Sequence, residues 1–106
     1  NTSSDYRLKE NVKPLENGLD RLNQLKPVKF NWIESGQEEE GFIAHEVEEV
    51  FSYAVTGEKD AVKNDGTVSP QHMDYGRITP LLVKAIQEQQ EQIEQLKTKI
   101  QTLKGE

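Results

Sequence analysis

At 106 residues the chain has room for one domain, and an apolar share of 33% leaves it a thin core, so part of its stability is expected from partner chains. A net charge of −6 and a pI near 5.0 exclude the basic footprint that nucleic-acid binding needs. The absence of cysteine excludes disulfides and thiolate metal sites, and no apolar run is long enough to span a bilayer.

In chain order, residues 1–11 are polar and read as extended. Pro14 suits a first helical position, and Leu15, Leu19, Leu22 and Leu25 recur at helical spacing, which predicts a helix over Pro14–Leu25. Gly18 weakens that helix, and Lys26-Pro27 ends it, because the residue before a proline is pushed out of the α region. "VKFNWI" (28–33) alternates apolar and polar residues and predicts a half-buried strand with Val28, Phe30 and Trp32 on one face. "ESGQEEEG" (34–41) reads as a polar, solvated connection, "GFIA" (41–44) as a short buried strand and "HEVEEVF" (45–51) as a short helix. "NDG" at 64–66 is a hairpin turn signal with a short strand on each side, and Pro70 confines the second to an edge. Met73 is expected in the core and His72 on the surface, and Phe30, Trp32, Phe42 and Phe51 are expected to be core.

The last third differs in kind. Thr79-Pro80 reads as an N-cap and first helical position. Beyond it Leu82, Ile86, Gln89, Ile93, Leu96, Ile100 and Leu103 fall alternately four and three residues apart. That is a heptad seam with Ile at a and mostly Leu at d, on a helix over 80–104 about 37 Å long at ~1.5 Å per residue. A polar helix with so narrow an apolar stripe cannot bury itself on a small domain and needs further copies of itself. Ile at a with Leu at d leans toward two strands; the polar layer at Gln89 specifies register and is compatible with three. The fold class is therefore α+β, a small helix-and-hairpin head followed by a long helix in an oligomeric coiled coil.

Candidate chemistry is sparse. The two histidines, His45 and His72, are not at ligand spacing, and neither a metal motif nor a glycine-rich phosphate loop is present, so no cofactor is expected. What remains is Ser4 with Lys9 five residues on; a lysine held neutral can serve as the base for a serine, but this spacing alone is common by chance.

Four blocks in order give that pair a context. "SDYRLKENV" resembles the Ser-Asp-x-Arg-x-Lys-x-Asn-(Ile/Val) signature that opens the intramolecular chaperone auto-processing domain of phage tailspikes, tail fibres and endosialidases. "LDRLNQLKPVKFNW", "GFIAHEVEEVF" and "MDYGRITPLLVKAIQEQ" resemble that family's following blocks, and together the four span nearly the whole chain.

The resemblance implies a domain that forms a homotrimer with two further copies, helps an upstream fibre or spike domain of the same polypeptide to fold, and then cuts itself off. The scissile bond maps onto Ser3-Ser4. Residues 1–3 would be the residue of the upstream segment, and 4–106 the chaperone domain. Ser4 maps as nucleophile and Lys9 as general base, while Asp5, Arg7 and Asn11 are expected to shape the loop. The family carries Gln or His at the position of His45, which is expected to orient Ser4 or the scissile carbonyl; Glu46 either holds Lys9 or Arg7 by charge or caps its helix. Such an enzyme is a single-turnover serine endopeptidase acting in the host cytoplasm during assembly, without metal, nucleic acid or membrane. The alternative is a trimerisation cap or adhesion tip that stays attached.

Overall fold

The computed structural model of the protein describes residues 3–105. Asn1 and Thr2, part of the expected upstream segment, and Glu106 lie outside the described residues. The molecule is elongated, 72 × 41 × 23 Å, because one helix runs far past the rest. In order, the elements are α1 (Gly18–Leu22), β1 (Val28–Asn31), β2 (Glu38–Gly41), α2 (Ala44–Val50), β3 (Val55–Thr56), β4 (His72–Met73) and α3 (Thr79–Gly105). Three short 3-10 turns punctuate them at Tyr6–Leu8, Ser52–Ala54 and Tyr75–Arg77. This is the α+β head with a long terminal helix that the sequence predicts.

The first helix is shorter than its leucine spacing suggests. Asn17 takes left-handed backbone angles (φ 55°, ψ 39°), which interrupts any helix begun at Pro14, so α1 starts at Gly18. Gly18 is buried against α3: a Cβ there would stand 2.8 Å from Lys84 Cγ and 2.9 Å from the Ala85 nitrogen. The residue that weakens the helix locally is thus what lets α1 approach α3. Asn17 supplies no side-chain cap; instead Glu88 Oε1, from α3, accepts the Leu19 N–H at 2.7 Å.

The acidic run 38–40 is a strand and not a solvated turn. β2 pairs antiparallel with β1, from Val28 opposite Gly41 to Asn31 opposite Glu38. A tight turn at 32–37 joins them, with Gly36 at φ +73° and Trp32 N–H donating to Gln37 O. The predicted strand at 41–44 is accordingly absent: Gly41 ends β2, Ile43 precedes α2 and Ala44 opens it. The hairpin is a two-stranded sheet, and among the described residues Trp32 is exposed and Phe30 only half-buried, rather than core. Trp32 stacks edge-on against Phe30, with centroids 5.0 Å apart, and its Nε1–H donates to Glu39 Oε2 at 2.6 Å.

The core is small, as composition requires. Val47 from α2, Phe51 just after it, Ala54, Val55, Ile78 and Leu81 are buried together, with Leu25, Phe42, Ala44 and Met73 packed on their flank. The "NDG" segment turns as expected, Gly66 taking φ +85° and Val62 bridging Val68. β4, however, pairs with β3 from before that loop, Val55 opposite Met73. Met73 packs on the core and His72 is exposed.

α3 presents two faces about a quarter-turn apart. Ile78 just before it and Leu81 and Ala85 within it are buried against the head. Leu82, Ile86, Ile93, Leu96, Ile100 and Leu103 lie along the other face, between 42% and 74% exposed, with Gln89 exposed among them. Thr79 is helical and does not cap: the 3-10 turn Tyr75–Arg77 runs through Ile78 into the helix, and Leu82 N–H already reaches Ile78 O at 3.0 Å.

Candidate functional site

A short turn brings the proposed nucleophile and base together. Five residues of extended chain would separate Ser4 and Lys9 by roughly 17 Å. Between them Asp5, itself extended, caps the turn Tyr6–Leu8: its Oδ1 accepts the Arg7 N–H at 2.9 Å. Leu8 N–H then bonds Asp5 O, and Lys9 N–H bonds Tyr6 O. An aspartate bonding the backbone two residues on is the ordinary Asx-turn, which is why Asp-x-Arg folds this way locally. The turn places Lys9 Nζ 2.7 Å from Ser4 Oγ, the ammonium donating to the hydroxyl oxygen.

Arg7 locks the turn. Its Nε–H and Nη2–H both donate to the Asp5 carboxylate, at 3.0 and 2.8 Å, a two-pronged charge-assisted grip. The Arg7 side-chain bonds, then its backbone N–H, hold the Asp5 carboxyl below the usual aspartate range, and the same contact raises Arg7. Asn11, at φ 55°, turns the chain away just after Lys9. Left-handed backbone is tolerated by asparagine because its short polar side chain bonds locally.

The structure places the other predicted residues elsewhere. His45 and Glu46 occupy the first turn of α2, both half-buried, with Glu46 N–H bonded to Ile43 O. Among the described residues neither makes a hydrogen bond or ion pair to Ser4, Arg7 or Lys9. Ser3, Ser4 and Lys9 are exposed. Ser4 Oγ has Lys9 as its one side-chain partner among the described residues. Those residues also include no cluster of three His, Asp or Glu side chains able to hold a metal ion, and no helix long and apolar enough to cross a membrane.

Two concavities lie on the head that residue spacing does not reveal. One, about 740 Å³, opens between the β1–β2 hairpin and β4 and is walled by Trp32, Ile33, Ile43 and Tyr75. The other, about 470 Å³, is almost wholly apolar and is bounded by Leu22, Leu25, Phe42, Ile78 and Leu82, so it joins the head to the top of the exposed α3 stripe. Neither is legible in sequence, since each is assembled from segments well separated along the chain.

Comparison with known proteins agrees with the motif reading. The chain is 34% identical over 98% of its length to the long tail fiber protein Gp37 of Salmonella phage S16, and 36% identical over 93% and 90% to those of Enterobacteria phages M1 and Ox2. It spans 14% of the first relative and 40% and 39% of the other two. Residues 4–56, half of the chain and all of the Ser4–Lys9 turn, match the model of a peptidase family described as chaperone of endosialidase. With the four sequence blocks and the α+β head in hand, the chain belongs to the chaperone of endosialidase family.

Proposed function

We propose that this chain is the C-terminal intramolecular chaperone of a phage tail fibre or tailspike. It trimerises through α3, aids folding of the upstream fibre domain in the host cytoplasm, and releases itself by cutting Ser3-Ser4. The observation that carries the cleavage reading is the 2.7 Å contact of Lys9 Nζ with Ser4 Oγ, inside the segment that matches the family.

The chemistry follows from that contact. With the amine neutral, Lys9 takes the Ser4 hydroxyl proton as Oγ attacks the Ser3 carbonyl carbon. The C–N bond breaks, the proton passes to the departing Ser4 nitrogen, and an ester joins Ser3 to Ser4 Oγ. Water hydrolyses the ester, leaving a Ser3 carboxylate and a free Ser4 amino terminus. Backbone N–H groups aimed at the tetrahedral oxygen would complete the site. Arg7 and Asp5 hold the turn, Asn11 directs the chain out of it, and His45 orients the serine or the carbonyl; Glu46 stands in the first turn of α2, where an acid favours the helix.

The exposed stripe on α3 supports assembly. Six large apolar side chains in open water are held at heptad spacing, and the apolar concavity at Leu82 extends that surface into the head. Three chains held in register have a high effective concentration, which speeds the slow non-local pairing of an intertwined fibre. Once the chaperone leaves, an unfolded fibre lacks its assembly aid, and the folded one persists because its unfolding is slow.

The test is a denaturing gel of the chain with upstream fibre sequence attached. The wild type yields two bands; Ser4→Ala and Lys9→Ala yield uncut trimers. A cleaved band from Ser4→Ala overturns the nucleophile assignment. The exposure of Ser4 and Lys9 favours one second reading, a trimerisation cap that stays attached. The intact mass of mature fibre separates the two, since the cap would still be present.

A further inference from the structure

We propose that the groove between the β1–β2 hairpin and β4 receives the Ser4–Lys9 segment of a neighbouring copy of this chain, so that each cleavage site is completed in trans. The purpose of that docking rests on the self-cleavage reading above; its geometry does not.

One chain holds both halves of this contact and keeps them apart. Tyr6, Leu8 and Val12 are 82%, 75% and 80% exposed, three large side chains in a stretch with no cover. Every hydrogen bond that residues 3–13 make among the described residues closes within that stretch. The head, for its part, leaves Trp32, Ile33, Ile43 and Tyr75 exposed around a cavity of about 740 Å³. Apolar surface gathered in one place and left in water marks a contact surface.

Charge matches the two surfaces. Residues 3–13 carry three cations, Arg7, Lys9 and Lys13, against two acids. The groove rim carries Glu34, Glu39 and Glu40. Among the described residues Glu34, Glu40 and Lys13 have no oppositely charged partner within 4 Å. Lys13 is placed to meet the acidic rim, while Tyr6 and Leu8 meet the aromatic wall. Arg7 remains occupied with Asp5.

A second copy is the fitting occupant for a chemical reason as well. In a single chain Ser4 and Lys9 are both exposed, and a lysine acts as base only in its neutral form, which removal from water favours. Cover from Trp32, Ile33 and Tyr75 excludes water from Lys9 and favours the neutral amine. Cutting then waits for assembly, since an isolated chain lacks the neighbour that supplies the cover. The α3 stripe sets copies side by side, which brings one head within reach of the next chain's leading segment.

The chain has no cysteine, so introduced thiols report alone. In a Ser4→Ala background, chains carrying Leu8→Cys are co-folded with chains carrying Ile33→Cys and oxidised. Ile33 and Leu8 are both exposed, so neither change disturbs the core. The expected result is a reductant-sensitive band of twice the chain mass, several-fold stronger in the mixture than in either chain alone. Tyr6→Cys and Val12→Cys chains provide neighbouring positions for the same pairing. If the thiols close only within single chains carrying both substitutions, the groove takes its own segment and the proposal is overturned. If they stay free in all pairings, the segment does not dock there and the proposal also fails. A cross-link with a wild-type chain that never cuts would instead remove the self-cleavage reading and leave the docking in place.

Discussion

Lys9 is the residue on which the proposed chemistry turns, and its partner is set by geometry that a single turn provides. Lys9→Arg preserves charge and can still donate to Ser4 Oγ, but a guanidinium does not give up its proton in proteins. Cutting is therefore expected to fall by about 100-fold or more, the contribution of a positioned general base, while trimers form normally. Time courses on denaturing gels beside native-gel assembly measure both. Asp5 makes a different prediction. Its carboxyl is held low by Arg7, so the grip is fully present above the ordinary aspartate range and is lost as pH falls through the lower folded-state value. The amide resonance of Arg7, which donates to Asp5 Oδ1, should therefore stay put at neutral and mildly acidic pH and move only in stronger acid. A shift centred near neutral pH would contradict that pairing. At this scale the sequence was only partly informative: residues 1–11 read as extended, yet Asp5 caps a 3-10 turn at Tyr6–Leu8, and the left-handed Asn11 and Asn17 do not announce themselves, because aspartate and asparagine are at home in many local conformations.

At the level of elements, α1 shows how tertiary packing overrides periodicity. Four leucines at helical spacing suggest a helix from Pro14, yet Asn17 stops it, and the five residues that remain are held by α3. Gly18→Ala places a methyl within 3 Å of the Lys84 side chain and the Ala85 backbone nitrogen, and the backbone cannot yield. A loss of about 1–3 kcal/mol is expected despite alanine's better helix propensity, measured by denaturant midpoint. An unchanged or higher midpoint would mean α1 does not pack this closely. β2 is the other departure. "EEE" carries no strand signal of its own, since acids are depleted in strands; it pairs because the tight turn at 32–37 delivers it to β1 in register. Trp32 is exposed on that two-stranded ribbon, where it lines an open groove rather than the core.

For the molecule as a whole, the balance between a small buried core and a long uncovered helix decides behaviour. Leu81 and Ala85 tie α3 to the head, but from Ile86 onward its apolar stripe is in water. Ile93→Lys puts a charge in the middle of the expected seam while leaving the core untouched. Trimers should give way to monomers, with association weakened by roughly 100-fold or more, since an unpaired charge is costly to bury. Sedimentation equilibrium measures this; trimers of undiminished stability would show that α3 does not carry assembly. The same variant should stop cleavage if cutting depends on neighbours.

What the amino-acid sequence determined by itself is the broad class and the repeating pattern: the α+β class, the heptad stripe and the "NDG" turn. These depend on short spacings, which a side chain's period and reach settle without help from the rest of the fold. Only the tertiary structure decided that Gly18 is a packing site, that Glu88 caps a helix 69 residues away, and that the acidic run forms a strand. It alone assembled the two concavities and set Trp32, Ile33 and Tyr75 around one of them. Each of these joins residues far apart in the chain, and contacts of that kind are chosen by close packing and by where backbone groups find partners, neither of which is written in the order of the residues.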